Sequence, residues 1–218
     1  MTTPSTEPQA PASLRELLGG RRGALDASFP PVAFVLGWLV SGRSIGWGTA
    51  AALVVGAIAG GIRVVRGQRV TGMLASLGAV AGGALIALYT GRAQDFFLVQ
   101  LLLNVASALA WTVSILIRWP LLGLVVGTIL GQKTRWRRDP ALLRAYSRAS
   151  WIWVGQYVLR MLVFGVLWLT GAVVALGVAR VALSWPLIAA VIAVSAYVFQ
   201  RALPEGHPGL RHPRVDMP

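Results

Sequence analysis

Three stretches of this chain carry no charged residue: Ser44–Ile62, Val70–Gly91 and Phe96–Ile117, of 19, 22 and 22 residues. An α-helix rises about 1.5 Å per residue, so about 20 apolar residues cross the roughly 30 Å hydrocarbon core of a bilayer. Each stretch is long enough to do so, and charge stands at the ends. Arg63, Arg66 and Arg69 follow the first, and Asp95 and Arg118 bracket the third. Composition agrees. Charged residues make up 12% of the 218, about half the roughly 25% of soluble domains and too little to cover one. With AVILMFWYC at 56%, the bulk of the chain is not disordered, since disorder needs low hydrophobicity and high charge. There is no cysteine, which excludes a disulfide frame, a thiol nucleophile and a cysteine metal site.

The remaining runs need parsing. Residues 1–14 form a Pro/Thr/Ser tail without the apolar core of a signal peptide. Pro30–Val40 has 11 apolar residues, too few to cross alone. A helix starting near Leu25, with Pro30 and Pro31 in an early turn, would make it a first span, and a re-entrant segment is the alternative. Leu121–Gly131 is equally short and basic at both ends, so it reads as re-entrant, interfacial or buried. Asp139–Pro140 then reads as a helix start, N-cap followed by Pro at the first helical position. The short amphipathic helix it opens would carry Arg144 and Arg148 along the membrane surface. Trp151–Thr170 is a fifth span, followed by an outer connection bearing Arg180, and Pro186–Leu203 is a sixth. The expected fold is therefore all-α: a polytopic transmembrane bundle of about six spans plus a short re-entrant or interfacial helix. Residues 1–24 form a disordered basic cytoplasmic tail, 25–203 the membrane domain with a basic loop at 132–150, and 204–218 a second disordered cytoplasmic tail.

The net charge of +13 is a topology signal. The basic residues fall almost wholly between the apolar runs, which sets nucleic acid aside as a partner. With the N-terminus inside, sixteen Lys and Arg face the cytoplasm, three (Arg43, Arg92, Arg180) face outward, and Arg160 stays in the membrane. Cytoplasmic loops are enriched in Lys and Arg, so the chain is expected in a bacterial inner membrane with both termini cytoplasmic.

Arg160 is the most informative residue. It stands nine residues into the fifth span, where an Arg costs about 2.5–3.5 kcal/mol on insertion scales. It must face the bundle interior or a watery cavity. Gln156 lies one turn away on the same face. Gln100, Asn104, Ser107, Trp111 and Ser114 form one helical stripe on the fourth span, with Asn104 near the depth of Arg160. Arg160, Gln156, Asn104 and Gln100 thus make a candidate intramembrane polar site, which serves either an anion or head group, or packing alone. Gly48, Ala52, Gly56 and Gly60, with Gly78 and Gly82 on the next span, allow close helix approach. They pack spans two and three together or form a homo-oligomer seam. Arg135, Trp136, Arg137 and Arg138 are candidate contacts for anionic lipid head groups, a basic cluster with an interfacial aromatic; simple topology determination is the alternative. Asp26 and Asp95 stand at opposite rims as caps or loop carboxylates. No catalytic set, cofactor motif or metal cluster is visible, so the chain is expected to be no enzyme and to bind no cofactor or metal.

The motifs GGRRGALDASFPPVAFVLGW, AQDFFLVQLLLN, IRWPLLGLVVG, WRRDPALLRAYSRASWIW and LGVARVALSWPL resemble an uncharacterised family of actinobacterial integral membrane proteins, a domain of unknown function, over about residues 15–203. More distantly, Phe29–Pro31 and the Arg118–Leu122 element resemble the intracellular septation protein A family. That resemblance implies a non-enzymatic role in envelope or septum biogenesis, with envelope membrane partners. Two other classes stay open: a small transporter or channel for an anionic or amphiphilic solute with Arg160 in its path, and a membrane enzyme acting on lipid.

Overall fold

The computed structural model describes residues 20–67, 70–131 and 134–204; the side chains of 20–28, 63, 70, 72 and 73 lie outside this description, as do both tails. All described elements are helical. They run α1 (Gly20–Val40), α2 (Ile45–Val65), α3 (Val70–Thr90), a 3-10 turn (Ala93–Phe97), α4 (Leu98–Leu116), α5 (Leu121–Ile129), a second 3-10 turn (Arg135–Arg138), α6 (Pro140–Leu169), α7 (Val173–Ala182) and α8 (Trp185–Ala202). Four helical stretches are long and apolar enough to cross a membrane: Ile45–Ile62, Ala93–Leu116, Pro140–Leu169 and Trp185–Ala202. Shorter apolar stretches are Phe29–Val40, Leu74–Thr90 and Val173–Ala182. Large apolar side chains such as Val40, Val65, Leu85, Leu116 and Leu169 point outward and stay exposed. A protein in water would bury such a surface, whereas lipid solvates it.

Several elements depart from expectation. Helix α1 starts at Gly20, so Pro30 and Pro31 fall in its interior rather than in its first turn. Each proline leaves a carbonyl one turn earlier without its usual donor, which membrane helices tolerate when neighbours pack over the break. No separate amphipathic helix precedes the fifth span. Asp139 caps α6 by accepting from the N–H groups of Ala141 and Leu142, at 3.0 and 3.2 Å, and Pro140 opens a single 30-residue helix through to Leu169. Nothing between Arg144 and Trp151 breaks helical propensity, so the two segments fuse.

The glycine stripe of α2 packs chiefly on α1. A Cβ at Gly48 would lie 2.9 Å from the Phe34 carbonyl oxygen, and one at Gly37 would lie 2.9 Å from Ala51. Gly78 faces open space, and the close approach on α3 comes from Gly83, where a Cβ would stand 2.5 Å from the Phe96 carbonyl oxygen. Phe96 stacks on Phe34 with ring centres 4.0 Å apart, so the first 3-10 turn plugs one end of the α1–α3 group.

The connection after α6 holds the largest surprise. Gly171, at φ +66°, reverses the chain, and the Ala172 N–H bonds back to Leu167 at 3.0 Å. Helix α7 then runs back along the bundle, its Gly177 close against Val35 of α1, and is no outer loop. Arg160 of α6 bonds the carbonyl of Ser184, and Tyr146 packs on Phe199 at 4.9 Å. Helix α8 therefore lies antiparallel to α6 and takes over where α7 stops. Together α7 and α8 form one path alongside α6, broken at Leu183–Ser184 beside Arg160.

Candidate functional site

A break inside a membrane bundle frees backbone groups that lipid cannot satisfy. A guanidinium reaches the break: Arg160 Nη2 donates at 3.5 Å to the Ser184 carbonyl, which also accepts from the Ile188 N–H at 3.1 Å. The Ser184 hydroxyl donates to the Val181 carbonyl at 2.6 Å. The Arg160 guanidinium also lies 5.9 Å from the ring centre of Tyr157, while its Nε is buried without a partner. Arg180 stands in the last turn of α7, four residues before the Ser184 carbonyl to which Arg160 donates. The C-terminal end of a helix carries partial negative charge, which gives both cations a reason to gather at the end of α7.

Arg180 also lines a cavity of about 170 Å³ between α1, α2, α3, the first 3-10 turn and α4. Its back wall is Pro30 and Pro31 of α1 with Gly56 and Gly60 of α2. At Gly56 a Cβ would meet Leu77 of α3 at 3.5 Å and Pro30 of α1 at 3.7 Å, so the glycine leaves room between three helices. The polar groups on its wall are Arg180, Gln100 and Ser76; Phe96, Val80 and Leu103 are among the apolar ones. An apolar void of about 150 Å³ accommodates a benzene-sized molecule, so this space suits a small head group or a short piece of chain.

The sequence-predicted polar residues are only partly brought together. Gln100 Nε2 donates to Asn104 Oδ1 at 3.2 Å. Trp111 stacks on Trp153 at 5.1 Å, and Trp168 Nε1 donates to Asp95 at 2.8 Å. Those two contacts set the antiparallel register of α4 on α6 and put Asn104 level with Arg160. Asn104 is 1% exposed with its Nδ2 unpartnered, and Gln156 is 4% exposed with its Oε1 unpartnered. Among the described residues neither amide bonds Arg160, whose hydrogen bond goes to Ser184 instead. Arg180 was placed on the outer side by the sequence parse. The available signal was the apolar run Val173–Ala179 just before it, helical in character but too short to count as a span.

Arg135, Arg137 and Arg138 sit on the second 3-10 turn with Trp136. The tryptophan is 0% exposed, which corrects its assignment as a lipid-facing anchor. It fills the space above Gly123, where a Cβ would stand 2.7 Å from the ring, and meets Tyr146 edge-on at 5.3 Å. Arg137 lies 3.8 Å over Trp119. Arg135 and Arg138 are exposed, with Arg144 and Arg148 beside them on α6. Asp95 is a buried rim carboxylate held by Trp168 and 4.0 Å from Arg92; the side chain of Asp26 lies outside the described ones. Among the described residues no three His, Cys, Asp or Glu gather as metal ligands.

Residues 18–206 match a protein family described as "Protein of unknown function (DUF3159)". No curated protein and no solved structure matches the chain.

Proposed function

The chain belongs to the DUF3159 family of proteins of unknown function, and from its geometry we propose that it is a non-enzymatic, multi-pass inner-membrane protein that holds an anionic ligand inside its helix bundle. The observation that carries this is Arg180: a half-buried cation on the wall of a cavity between apolar helices, four residues before the Ser184 carbonyl that holds a second cation, Arg160, by one long hydrogen bond. A cation kept in a low-dielectric interior is costly unless an opposite charge joins it. The described carboxylates, Asp95 and Asp139, are engaged elsewhere, with Trp168 and with the start of α6. An anion bound at Arg180 would balance its charge.

Six crossings fit this reading: α1, α2, α3, α4, α6 and the broken path α7–α8, with α5 too short to span at 9 residues. With Arg180 inside, Arg43 and Arg92 remain as the outer charges, which favours cytoplasmic termini. The exposed Arg135, Arg138, Arg144 and Arg148 would then rest on the anionic cytoplasmic leaflet. Support of envelope or septum biogenesis, with membrane partners, is the cellular role proposed, carried by the motifs at Phe29–Pro31 and Arg118–Leu122. A transport path is the second reading. It is favoured by the break at Leu183–Ser184, since discontinuous helices line many transporter sites.

Thermal unfolding in a neutral detergent tests the anion site. At least one of inorganic phosphate and dodecyl phosphate should raise the Tm of the wild type, and neither should move that of Arg180→Gln. A wild type indifferent to both, or an Arg180→Gln variant that still responds, would overturn the assignment.

A further inference from the structure

Resting on the anion site at Arg180, we propose that its ligand is an anionic amphiphile drawn from the bilayer, with its head group at Arg180 and its chain leaving sideways between α3 and α4. Three observations carry this.

The first is that α3 and α4 splay apart. At Gly83 a Cβ would stand 2.5 Å from the carbonyl oxygen of Phe96 in the 3-10 turn that leads into α4, so α3 is closed against the start of that helix. At Gly82 the nearest contact is Val99 at 3.9 Å, and one turn further, at Gly78, nothing lies within 4 Å. On this side the cavity is lined by Ala79 and Val80 of α3 and by Val99, Gln100 and Leu103 of α4, and Ala79 and Leu103 are exposed, so it opens between the two helices. That surface faces lipid in a membrane bundle, so the cavity has a side door to the bilayer.

The second observation is the wall. Beyond Arg180, Gln100 and Ser76 it is made of proline, glycine and apolar side chains. A small hydrated anion would lose water there and recover few hydrogen bonds. A ligand with methylene groups gains from the same wall.

The third is capacity. About 170 Å³ is enough for a head group with a few carbons and far too little for a whole lipid. The rest of a long chain must lie outside, and the cavity opens where the bilayer would solvate it.

The test compares three additives at equal concentration in a neutral detergent: dodecyl phosphate, inorganic phosphate and dodecanol. Dodecyl phosphate is expected to raise the wild-type Tm by several degrees, and the other two to leave it unchanged. Ala79→Phe and Leu103→Trp, which crowd the mouth from either side at exposed positions, should keep the ligand-free Tm and lose most of the shift. An Arg135→Gln/Arg138→Gln variant should keep the full shift, because those charges lie away from the cavity. Equal stabilisation by inorganic phosphate, lost in Arg180→Gln, would overturn the amphiphile while leaving the anion site standing. Equal stabilisation by dodecanol would overturn the role of the head group. A full shift in both mouth variants would overturn the side door, and no shift from either phosphate would overturn the anion site as well.

Discussion

Trp136→Ala is expected to destabilise the protein by about 3–5 kcal/mol, the range for truncating a large aromatic in a packed core. The ring is wholly buried. It is enclosed by Gly123 of α5, by Tyr146 of α6 and, through Tyr146, by Phe199 of α8. Removing it takes the centre out of a cluster that ties the short helix α5 to the ends of two long ones. Gly123→Leu should do comparable damage from the other side, because its Cβ alone would stand 2.7 Å from the ring and cores overpacked in this way are strained. Arg138→Gln, at an exposed neighbour, should change stability by less than about 0.5 kcal/mol, as surface substitutions usually do. Unfolding in detergent followed by circular dichroism compares the three. A loss for Trp136→Ala no larger than that for Arg138→Gln would contradict the packing.

Arg180→Gln should have the opposite sign in the absence of ligand: an unchanged or higher Tm. The wild type holds the Arg180 guanidinium half-buried among apolar helices. An Arg at mid-membrane costs up to about 2.5–3.5 kcal/mol on insertion scales, and relief of part of that cost should show as added stability. Gln keeps hydrogen-bonding capacity toward Gln100 and the cavity, so no polar group is stranded. Arg160→Gln should lower Tm only slightly, since the bond it loses to Ser184 is long at 3.5 Å and net hydrogen bonds in membrane helices average roughly 0.6 kcal/mol. Arg180→Gln should also lose the response to dodecyl phosphate, since Arg180 is the cation on the cavity wall. A clear fall in the ligand-free Tm of Arg180→Gln would mean that a carboxylate of the chain already balances it. Asp26, one turn before Pro30 on α1, is the first to examine by Asp26→Asn.

Much of the architecture follows from local rules. The runs Ser44–Ile62 and Phe96–Ile117 read as helices because charge stops at their ends, and Asp139–Pro140 reads as a helix start because an acceptor followed by a residue without N–H suits that position. Counting residues from the ends of the spans also matched the depth of Asn104 to that of Arg160. What stayed hidden depends on tertiary contact. A ten-residue helix such as α7 is too short to score as a crossing, and only its packing against Val35 and its continuation in α8 reveal that it returns through the bundle. Arg180 consequently read as an outer charge. The prolines of α1 pointed to an early turn because the chain before Leu25 looked like tail; the helix in fact begins at Gly20. Trp136 looked interfacial because tryptophan between arginines at a membrane edge usually is, and nothing local shows that Gly123 leaves a slot for its ring. The glycines of α2 read as packing on the third span or as an oligomer seam; Gly56 does meet Leu77 of α3, but Gly48 lies against Phe34 of α1, a contact that spacing along one helix does not show.

Placing Arg180 inside the bundle decides between a cation at an internal site and a charge on an outer loop, and it can be measured directly because the chain has no cysteine. Thr170→Cys, Arg180→Cys and Thr134→Cys can each be treated in intact cells with a membrane-impermeant maleimide. Thr170 and Thr134 are exposed at opposite ends of the long helix α6 and report the two sides. The expected result is rapid labelling at 170, labelling at 134 only after the cells are opened, and little at 180 in either state. Labelling at 180 as fast as at 170 in intact cells would contradict the internal site and return Arg180 to the outer surface.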